Sequence, residues 1–131
     1  PLFKNQENIN FIKDAMYSAT NEPGGTSYRS RLREKKFMFA GKTGSSQIRK
    51  FTEAQREAEV KQIDIEYKNR DHALFIAFAP VSNPKYAISV VVEHGGTGSS
   101  AAAPIAKKII KKVLERDTAR KKIQKFLEMD V

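Results

Sequence analysis

The stretch Phe-Met-Phe-Ala-Gly-Lys-Thr-Gly-Ser-Ser-Gln-Ile, residues 37–48, decides how the rest of this sequence is interpreted. Its apolar first half predicts a β-strand, which runs directly into Lys42, Thr43 and Gly44. A lysine supplies fixed positive charge, a hydroxyl can hold a carboxylate, and a glycine leaves room for another backbone to approach. We therefore expect an edge strand whose backbone lies against an acylating substrate.

The composition indicates one modest globular domain. The chain has 131 residues, of which 40% are hydrophobic and 30% are charged. It contains no cysteine, which excludes disulfides, thiolate chemistry and cysteine-based zinc sites. No apolar run approaches the ~20 residues that a membrane-spanning helix needs. Because the sequence opens at Pro1 without a methionine, we expect it to be a piece of a longer protein.

The net charge of +9 arises from 24 basic and 15 acidic residues, and much of the excess lies between Lys107 and Lys125. This charge permits two interpretations. It can be the solvated face of a C-terminal helix, which we favour, or the footprint of a small basic module that binds nucleic acid or an anionic surface. The predicted basic helix lacks the interleaved aromatic residues that single-stranded nucleic acids stack on.

Hydrophobic periodicity predicts an α+β fold. Residues 6–20 are typical of a helix with an apolar stripe of Ile9, Ile12, Met16 and Ala19. Residues 73–79 and 86–92 predict two strands, paired as an antiparallel hairpin around the turn at 80–85, with 73–79 in the centre of the sheet. Together with the strand at 37–48, they make a three-stranded antiparallel sheet packed against N- and C-terminal helices.

The remaining segments predict connections and a second long helix. A capping-box pattern favours a short helix at Glu53–Val60 inside a polar insertion, residues 49–70. The glycine-rich stretch 95–98 predicts a flexible break. A helix follows from 101 to 115, and residues 118–131 predict a further helical turn or two. The buried stripe of this helix is predicted to consist of Ile105, Ile109 and Val113.

Several short motifs are better explained by local structure than by chemistry. Gly41-Lys42-Thr43 lacks the first glycine of a phosphate-binding loop, because position 36 is a lysine. Residues 96–101 match a dinucleotide fingerprint, but no parallel strand follows to hold a ribose. Ser82-Asn83-Pro84-Lys85 has the Ser-x-x-Lys spacing of an acylating serine, yet Pro84 and its place between two strands favour a turn.

Two further features carry no catalytic prediction. Tyr67-Lys68-Asn69 imitates a Tyr-x-Asn element inside the polar insertion. His72 and His94 flank the predicted hairpin without partners at ligand spacing, and we expect them to be structural or surface residues. We expect neither a metal nor a cofactor.

Four blocks in order carry a resemblance to a known family. They are residues 40–48, residues 72–80, residues 91–96 and residues 101–106, and Gly25-Thr26 fits as well. The sequence resembles the C-terminal part of a class B penicillin-binding protein transpeptidase domain, most of all the elongation-specific type, penicillin-binding protein 2. The resemblance covers roughly residues 7–115. Serine β-lactamases share Lys-Thr-Gly, but the polar insertion and the 93–106 block favour the transpeptidase.

The resemblance implies that residues 1–131 are a C-terminal fragment of one transpeptidase domain with a fold like that of penicillin-binding proteins and serine β-lactamases. Such enzymes cross-link peptidoglycan through a serine acyl-enzyme, which β-lactams also form. Lys42 would set the electrostatics of the cleft, Thr43 would bind the substrate carboxylate, and Gly44 would let the substrate backbone approach. Ser45, at a position where the family usually has threonine, would contribute an oxyanion donor through its backbone N–H and a substrate contact through its hydroxyl.

The resemblance also implies what the chain lacks. The family order is Ser-x-x-Lys, Ser-x-Asn, Lys-Thr-Gly, and this sequence begins after the second element, so we expect the isolated fragment to be inactive. The expected partners of the parent are peptidoglycan stem peptides, β-lactams, a glycosyltransferase and elongation-complex proteins, at the periplasmic face of the bacterial inner membrane. Exposed strand edges in the fragment predict self-association.

Overall fold

The computed structural model describes residues 4–48 and 64–129. The elements in chain order are helix α1 (Gln6–Asn21), strands β1 (Ala40–Ser46), β2 (His72–Ala79) and β3 (Tyr86–Val92), and helix α2 (Ala103–Met129). A π-helical turn, Gly98–Ala102, leads into α2. This confirms the predicted α+β fold with a three-stranded antiparallel sheet. The helix predicted at Glu53–Val60 lies outside the described residues.

Helix α1 has clear signals at both ends. The side chain of Asn5 accepts a hydrogen bond from the N–H of Glu7 at 2.8 Å, which caps the first turn. The helix ends before Pro23 and Gly24, whose φ of 88° is accessible to glycine without strain. The predicted apolar stripe does not form a buried face in the described residues, because Ile12 is 57% exposed. The helix instead meets the sheet through its last turn, around the buried Thr20.

The sheet has the strand order β1–β2–β3, with Thr43 opposite Phe75 and Phe75 opposite Val90. The prediction that residues 73–79 form the central strand is confirmed. The first strand is shorter than predicted, because Phe37 lies in a 3-10 turn and regular pairing begins at Ala40.

The core lies between one face of the sheet and α2. Alternate residues of β2 are buried, and the ring of Phe75 meets that of Phe39 edge-on with 6.2 Å between centroids. The facing residues of the π-helical turn and α2 include fully buried alanines, which let the helix approach the sheet closely. The buried residues on that side are Ala102, Ala103, Ala106, Ile110 and Leu114.

The prediction about the buried face of the last helix is wrong. Ile105 and Ile109 were expected on its buried stripe, but they are 41% and 44% exposed, and Val113 is only half-buried. The buried stripe is the neighbouring one that carries Ala106 and Ile110, since small side chains fit the narrow space above β2. The helix predicted at 101–115 and the helical turns predicted after it form one uninterrupted helix that ends at Met129.

The glycine-rich stretch 95–98, predicted to be a flexible break, is instead an ordered turn. The N–H of Gly96 donates to the carbonyl of Asp71 at 2.8 Å, and Gly96 has a φ of 81°. Among the helices of the described residues, none is both long and apolar enough to cross a lipid bilayer.

Candidate functional site

Strand β1 has a free backbone edge. The N–H of Gly41 donates to Thr20 Oγ1 at 3.0 Å, and the Thr20 hydroxyl donates to the Gly41 carbonyl at 3.2 Å. The N–H and C=O of one strand residue point to the same side, and the side alternates along the strand. Thr43 and Ser45 therefore direct their N–H and C=O groups away from β2. No strand within residues 4–48 and 64–129 pairs with this edge.

The side chains of Thr43 and Ser45 lie on one face of the sheet, opposite Phe75 and Ala73 of the neighbouring strand. Thr43 is half-buried and Ser45 is exposed. The two hydroxyls thus flank the outward-pointing N–H of Ser45. This arrangement offers hydrogen-bond donors to a carboxylate and to an oxyanion along a single edge.

Lys42 brings positive charge to the same edge. Its side chain is exposed, and its Nζ donates to the carbonyl of Thr43 at 2.9 Å. None of the salt bridges found in the described part of the chain includes Lys42. Its charge therefore remains available to attract an anionic ligand toward the β1 edge.

Gly44 has open space where a side chain would begin. A Cβ built on it would have a single neighbour within 4 Å among the described residues, the Cβ of Leu74 at 3.4 Å. Gly41 on the same strand differs, because a Cβ there would lie 2.7 Å from the carbonyl oxygen of Ile76. Packing thus explains the glycine at 41 but not the one at 44, where a close approach by a ligand backbone would explain it.

One neighbour of the site was not assigned a role from the sequence. Thr43 Oγ1 donates a hydrogen bond to Thr26 Oγ1 at 3.1 Å. Thr26 lies in the loop after α1 and also lines a surface cleft with Gly25, Ser27, Arg29, Ser99 and Ser100. Its pairing with Thr43 had no periodic signal in the sequence, because the two residues are separated by 17 positions in two different elements.

The turn before α2 supports the strand from one face. A Cβ on Gly98 would lie 2.3 Å from the carbonyl oxygen of Leu74 and 2.8 Å from that of Gly44, so only glycine fits. Thr97 caps the turn: its Oγ1 accepts the N–H of Ser100 at 3.4 Å. The backbone of the candidate site is therefore held in place by direct packing.

The motifs that imitate catalytic elements lie apart from this site. Ser82 and Lys85 are exposed in the turn between β2 and β3, where no helix brings lysine to serine. Register places this turn beyond Ala79, toward the opposite end of the sheet from Ser45. Lys68 of the Tyr-x-Asn-like segment forms an exposed ion pair with Glu66 at 3.1 Å.

The two histidines, which lie 22 positions apart in the sequence, contact each other in the structure. The Nδ1 of His72 accepts the backbone N–H of His94 at 3.0 Å, and the ring centroids are 5.0 Å apart. The contact ties the start of β2 to the turn after β3. The described residues contain no group of three or more side chains suited to a metal ion.

The shifted pKa values lie on α2 and β3, away from the β1 edge. A hydrogen bond to Asp117 raises the pKa of Tyr86, and a hydrogen bond and like charge from Lys85 lower the pKa of Lys121. Lys85 thus lies close to Lys121 of α2.

Comparisons with known proteins find similar sequences and structures. Residues 4–111 match the family described as the penicillin binding protein transpeptidase domain. The chain is 39% identical over 99 residues to the peptidoglycan D,D-transpeptidase MrdA of Salmonella typhimurium, with 76% of this chain aligned. It spans only 15% of the length of that relative.

Two solved structures are also similar. The complex between penicillin-binding protein PBP2 and MreC from Helicobacter pylori matches with a TM-score of 0.64 and 33% identity, over 83% of this chain and 17% of that one. PBP2 of Pseudomonas aeruginosa in complex with WCK 5153 matches with a TM-score of 0.60 and 29% identity, over 82% and 19% of the two chains. These similarities give no support to the nucleic-acid-binding alternative.

Proposed function

The chain belongs to the penicillin-binding protein transpeptidase family, and from this we propose that its parent protein is a peptidoglycan D,D-transpeptidase of the elongation-specific type. By parent we mean the longer protein that would contain this sequence. The curated relative and the two PBP2 structures support the assignment.

The proposed reaction is acyl transfer through a serine ester. The serine oxygen attacks the carbonyl carbon between the two terminal D-alanines of a stem peptide, and its proton passes to a base. The C–N bond breaks, and the terminal D-alanine leaves as a protonated amine. An amine of a second stem peptide then attacks the ester, forms the cross-link and returns the proton to the serine.

The free edge of β1 has a distinct part in this reaction. The outward N–H of Ser45 donates to the oxyanion that forms on the attacked carbonyl, and loss of one such donor typically costs about 3–4 kcal/mol. Thr43 and the Ser45 hydroxyl bind the terminal carboxylate. Lys42 adds positive charge to the cleft, and Gly44 lets the stem peptide lie along the strand.

The observation that carries the proposal is the open position at Gly44, between two residues whose backbone donors point outward. Glycine weakens a strand, and nothing in the described packing requires it there. Room for an extended peptide backbone along the edge accounts for it, because main-chain hydrogen bonds to a strand edge need close approach.

Gly44→Val in the parent protein tests this assignment. The added side chain blocks the peptide's path, so acylation by a fluorescent penicillin and release of D-alanine from a pentapeptide should both fall about 100-fold. Ser89→Val is the matched control, since it adds the same side chain to an exposed position two strands away. Equal rates for Gly44→Val and the wild type would contradict the proposal.

The nucleophile is proposed to come from a part of the parent outside these residues. The 131-residue sequence contains no Ser-x-Asn, and its one Ser-x-x-Lys is the Ser82–Lys85 turn. We therefore expect no covalent labelling when the isolated chain is incubated with fluorescent penicillin. Labelling of the chain that survives denaturation would show that it holds its own nucleophile.

The setting of the parent follows from the same assignment. Its substrates are peptidoglycan stem peptides and its inhibitors are β-lactams, which acylate the same serine. A shape-determining role beside a glycosyltransferase and elongation-complex proteins, at the periplasmic face of the inner membrane, fits the solved complex of a similar protein with MreC. Co-purification of the parent with an MreC homologue would test the partner assignment.

A further inference from the structure

The pair of hydroxyls formed by Thr43 and Thr26 lies at the free edge of the candidate site. Thr43 Oγ1 donates to Thr26 Oγ1 at 3.1 Å, and both residues are accessible to solvent. Among the described side chains, Thr26 is the one hydrogen-bond partner of the Thr43 hydroxyl. A ligand that accepts a hydrogen bond from the Thr43 hydroxyl therefore competes with Thr26 for the Thr43 proton.

The loop that carries Thr26 is fixed against α1. A Cβ on Gly25 would lie 2.5 Å from the carbonyl oxygen of Ala19, so this close approach requires glycine. On the other side of Thr26, the Ser27 hydroxyl donates to the same Ala19 carbonyl at 3.0 Å. The loop thus has little freedom to shift the Thr26 hydroxyl away from β1.

The same anchor holds β1. Thr20 Oγ1 contacts Ser27 Oγ at 3.1 Å and also exchanges hydrogen bonds with the backbone of Gly41, two residues before Thr43. Thr20 and Ser27 are both buried, so these contacts are shielded from water. Loop and strand are therefore positioned relative to each other by one set of buried hydroxyls, and the Thr26–Thr43 pair is built into the fold.

We propose that Thr26 is a positioning residue for carboxylate binding, which reverses its hydrogen bond with Thr43 when a ligand arrives. A hydroxyl has one proton and two lone pairs. Without ligand, Thr43 donates to Thr26. With a carboxylate bound, Thr26 donates to Thr43, and Thr43 donates its proton to the carboxylate oxygen. The reversal needs rotation of two hydroxyl hydrogens and no movement of heavy atoms.

The reversed chain strengthens the carboxylate contact. A hydroxyl that accepts a hydrogen bond becomes a better donor, because successive hydrogen bonds polarise one another. Thr26 also restricts the Thr43 side chain to the rotamer that keeps its oxygen at the edge. This inference rests on the proposed transpeptidase function and adds a residue to the binding of the ligand's anionic end.

The test compares two ligands on the parent protein. Acylation rate constants are measured with a penicillin that has a free carboxylate and with the methyl ester of the same compound. We expect Thr26→Val to lower the second-order rate constant about 10-fold for the free acid. The ester should change less than twofold, because it has no charge for the hydroxyl chain to stabilise.

Two further variants separate positioning from folding. Thr26→Ser keeps the hydroxyl and should restore the rate for the free acid. In a Thr43→Val background, Thr26→Val should have no additional effect, since the residue through which it acts is gone. An equal loss for acid and ester, failure of Thr26→Ser to rescue, or additive effects of the two valine substitutions would each overturn the inference while leaving the transpeptidase proposal intact.

The wild-type measurement keeps the two proposals apart. Absence of acylation by either compound in the wild-type parent would overturn the transpeptidase proposal, and with it the role of Thr26. Because the Thr26 side chain is exposed, we expect the melting temperature of the protein to be unchanged in Thr26→Val and in Thr26→Ser. A matching loss of stability and of rate in Thr26→Val would indicate a structural role and overturn the inference.

Discussion

Three glycines at or beside the candidate site have different surroundings, and alanine substitutions should separate them. A Cβ on Gly41 or Gly98 would lie 2.7 Å or less from a backbone oxygen of β2, whereas one on Gly44 would meet only the Leu74 Cβ at 3.4 Å. We expect Gly41→Ala and Gly98→Ala to lower the free energy of unfolding by about 3 kcal/mol, the range of overpacked cores. Gly44→Ala should change it by less than about 1 kcal/mol. Chemical denaturation of the three variants measures this, and equal losses would mean that packing explains Gly44 too.

Thr20 is the buried residue on which the geometry of the β1 edge depends. It is fully buried, and its hydroxyl is the acceptor for the Gly41 N–H at 3.0 Å. Thr20→Val preserves shape but leaves that N–H buried without a partner, which should lower the free energy of unfolding by about 1–3 kcal/mol. Thr20→Ser retains the hydroxyl and should lower the free energy of unfolding by less than Thr20→Val does. A smaller loss for valine than for serine would show that the methyl group, not the hydrogen bond, is what matters.

At the residue scale, the sequence predicted roles for one group of residues and none for another. Residues 42–45 are contiguous, so their chemistry could be predicted from the motif and the family resemblance. The part that Thr20 plays depends on its contact with Gly41, which lies 21 positions further along the chain. The part proposed for Thr26 depends on its contact with Thr43, which lies 17 positions further along. Such contacts leave no local pattern, since a single threonine in a helix end or a loop is ordinary.

At the element scale, the strands were predicted better than the helix faces. β2 and β3 are short, apolar and separated by a proline-containing turn, which leaves few alternatives. In α2 the large aliphatic residues are on both sides of the alanine stripe, so hydrophobicity alone selected Ile105 and Ile109. Which face of α2 is buried depends on how closely the helix approaches the sheet. The fully buried Ala106 shows that the space between α2 and the sheet is narrow.

Two adjacent isoleucines in α2 provide a direct test of this corrected face. Ile110 is 5% exposed and Ile109 is 44% exposed, although they are chemically identical neighbours. Ile110→Ala should lower the free energy of unfolding by about 2–5 kcal/mol, because it removes buried methyl groups and leaves a cavity. Ile109→Ala should lower it by less than about 1 kcal/mol, since alanine is also the better helix former. Urea denaturation of the two variants measures which isoleucine is buried. A larger loss for Ile109→Ala than for Ile110→Ala would support the buried stripe that was predicted from the sequence.

At the scale of the whole molecule, the described sheet has two free edges with different character. The β1 edge carries Lys42, glycine and hydroxyls, whereas β3 contains no charged residue and no proline. The register fixes which β3 groups are unpaired. The backbone N–H and C=O of Gly44 point toward β2, and those of Leu74 point toward β1. The backbone groups of Ala73 and Phe75 therefore point toward β3, and those of their partners Val92 and Val90 point toward β2. Ala87, Ser89 and Val91 therefore direct their backbone groups outward.

An uncharged edge with open hydrogen-bonding groups is a template for pairing with another strand, so we expect the 131-residue chain to self-associate through β3. Val91→Lys should weaken this association, because a charge on the edge strand loses solvation when a second strand docks. Ile123→Lys on α2 is the matched control: it adds the same charge in place of a β-branched residue that is 61% exposed, against 59% for Val91. Sedimentation velocity over a range of concentrations should show a shift toward monomer for Val91→Lys alone. A wild-type chain that is monomeric throughout would mean that the β3 edge does not drive self-association. An equal response to both lysines would mean that net charge governs association and that the β3 edge is not the contact.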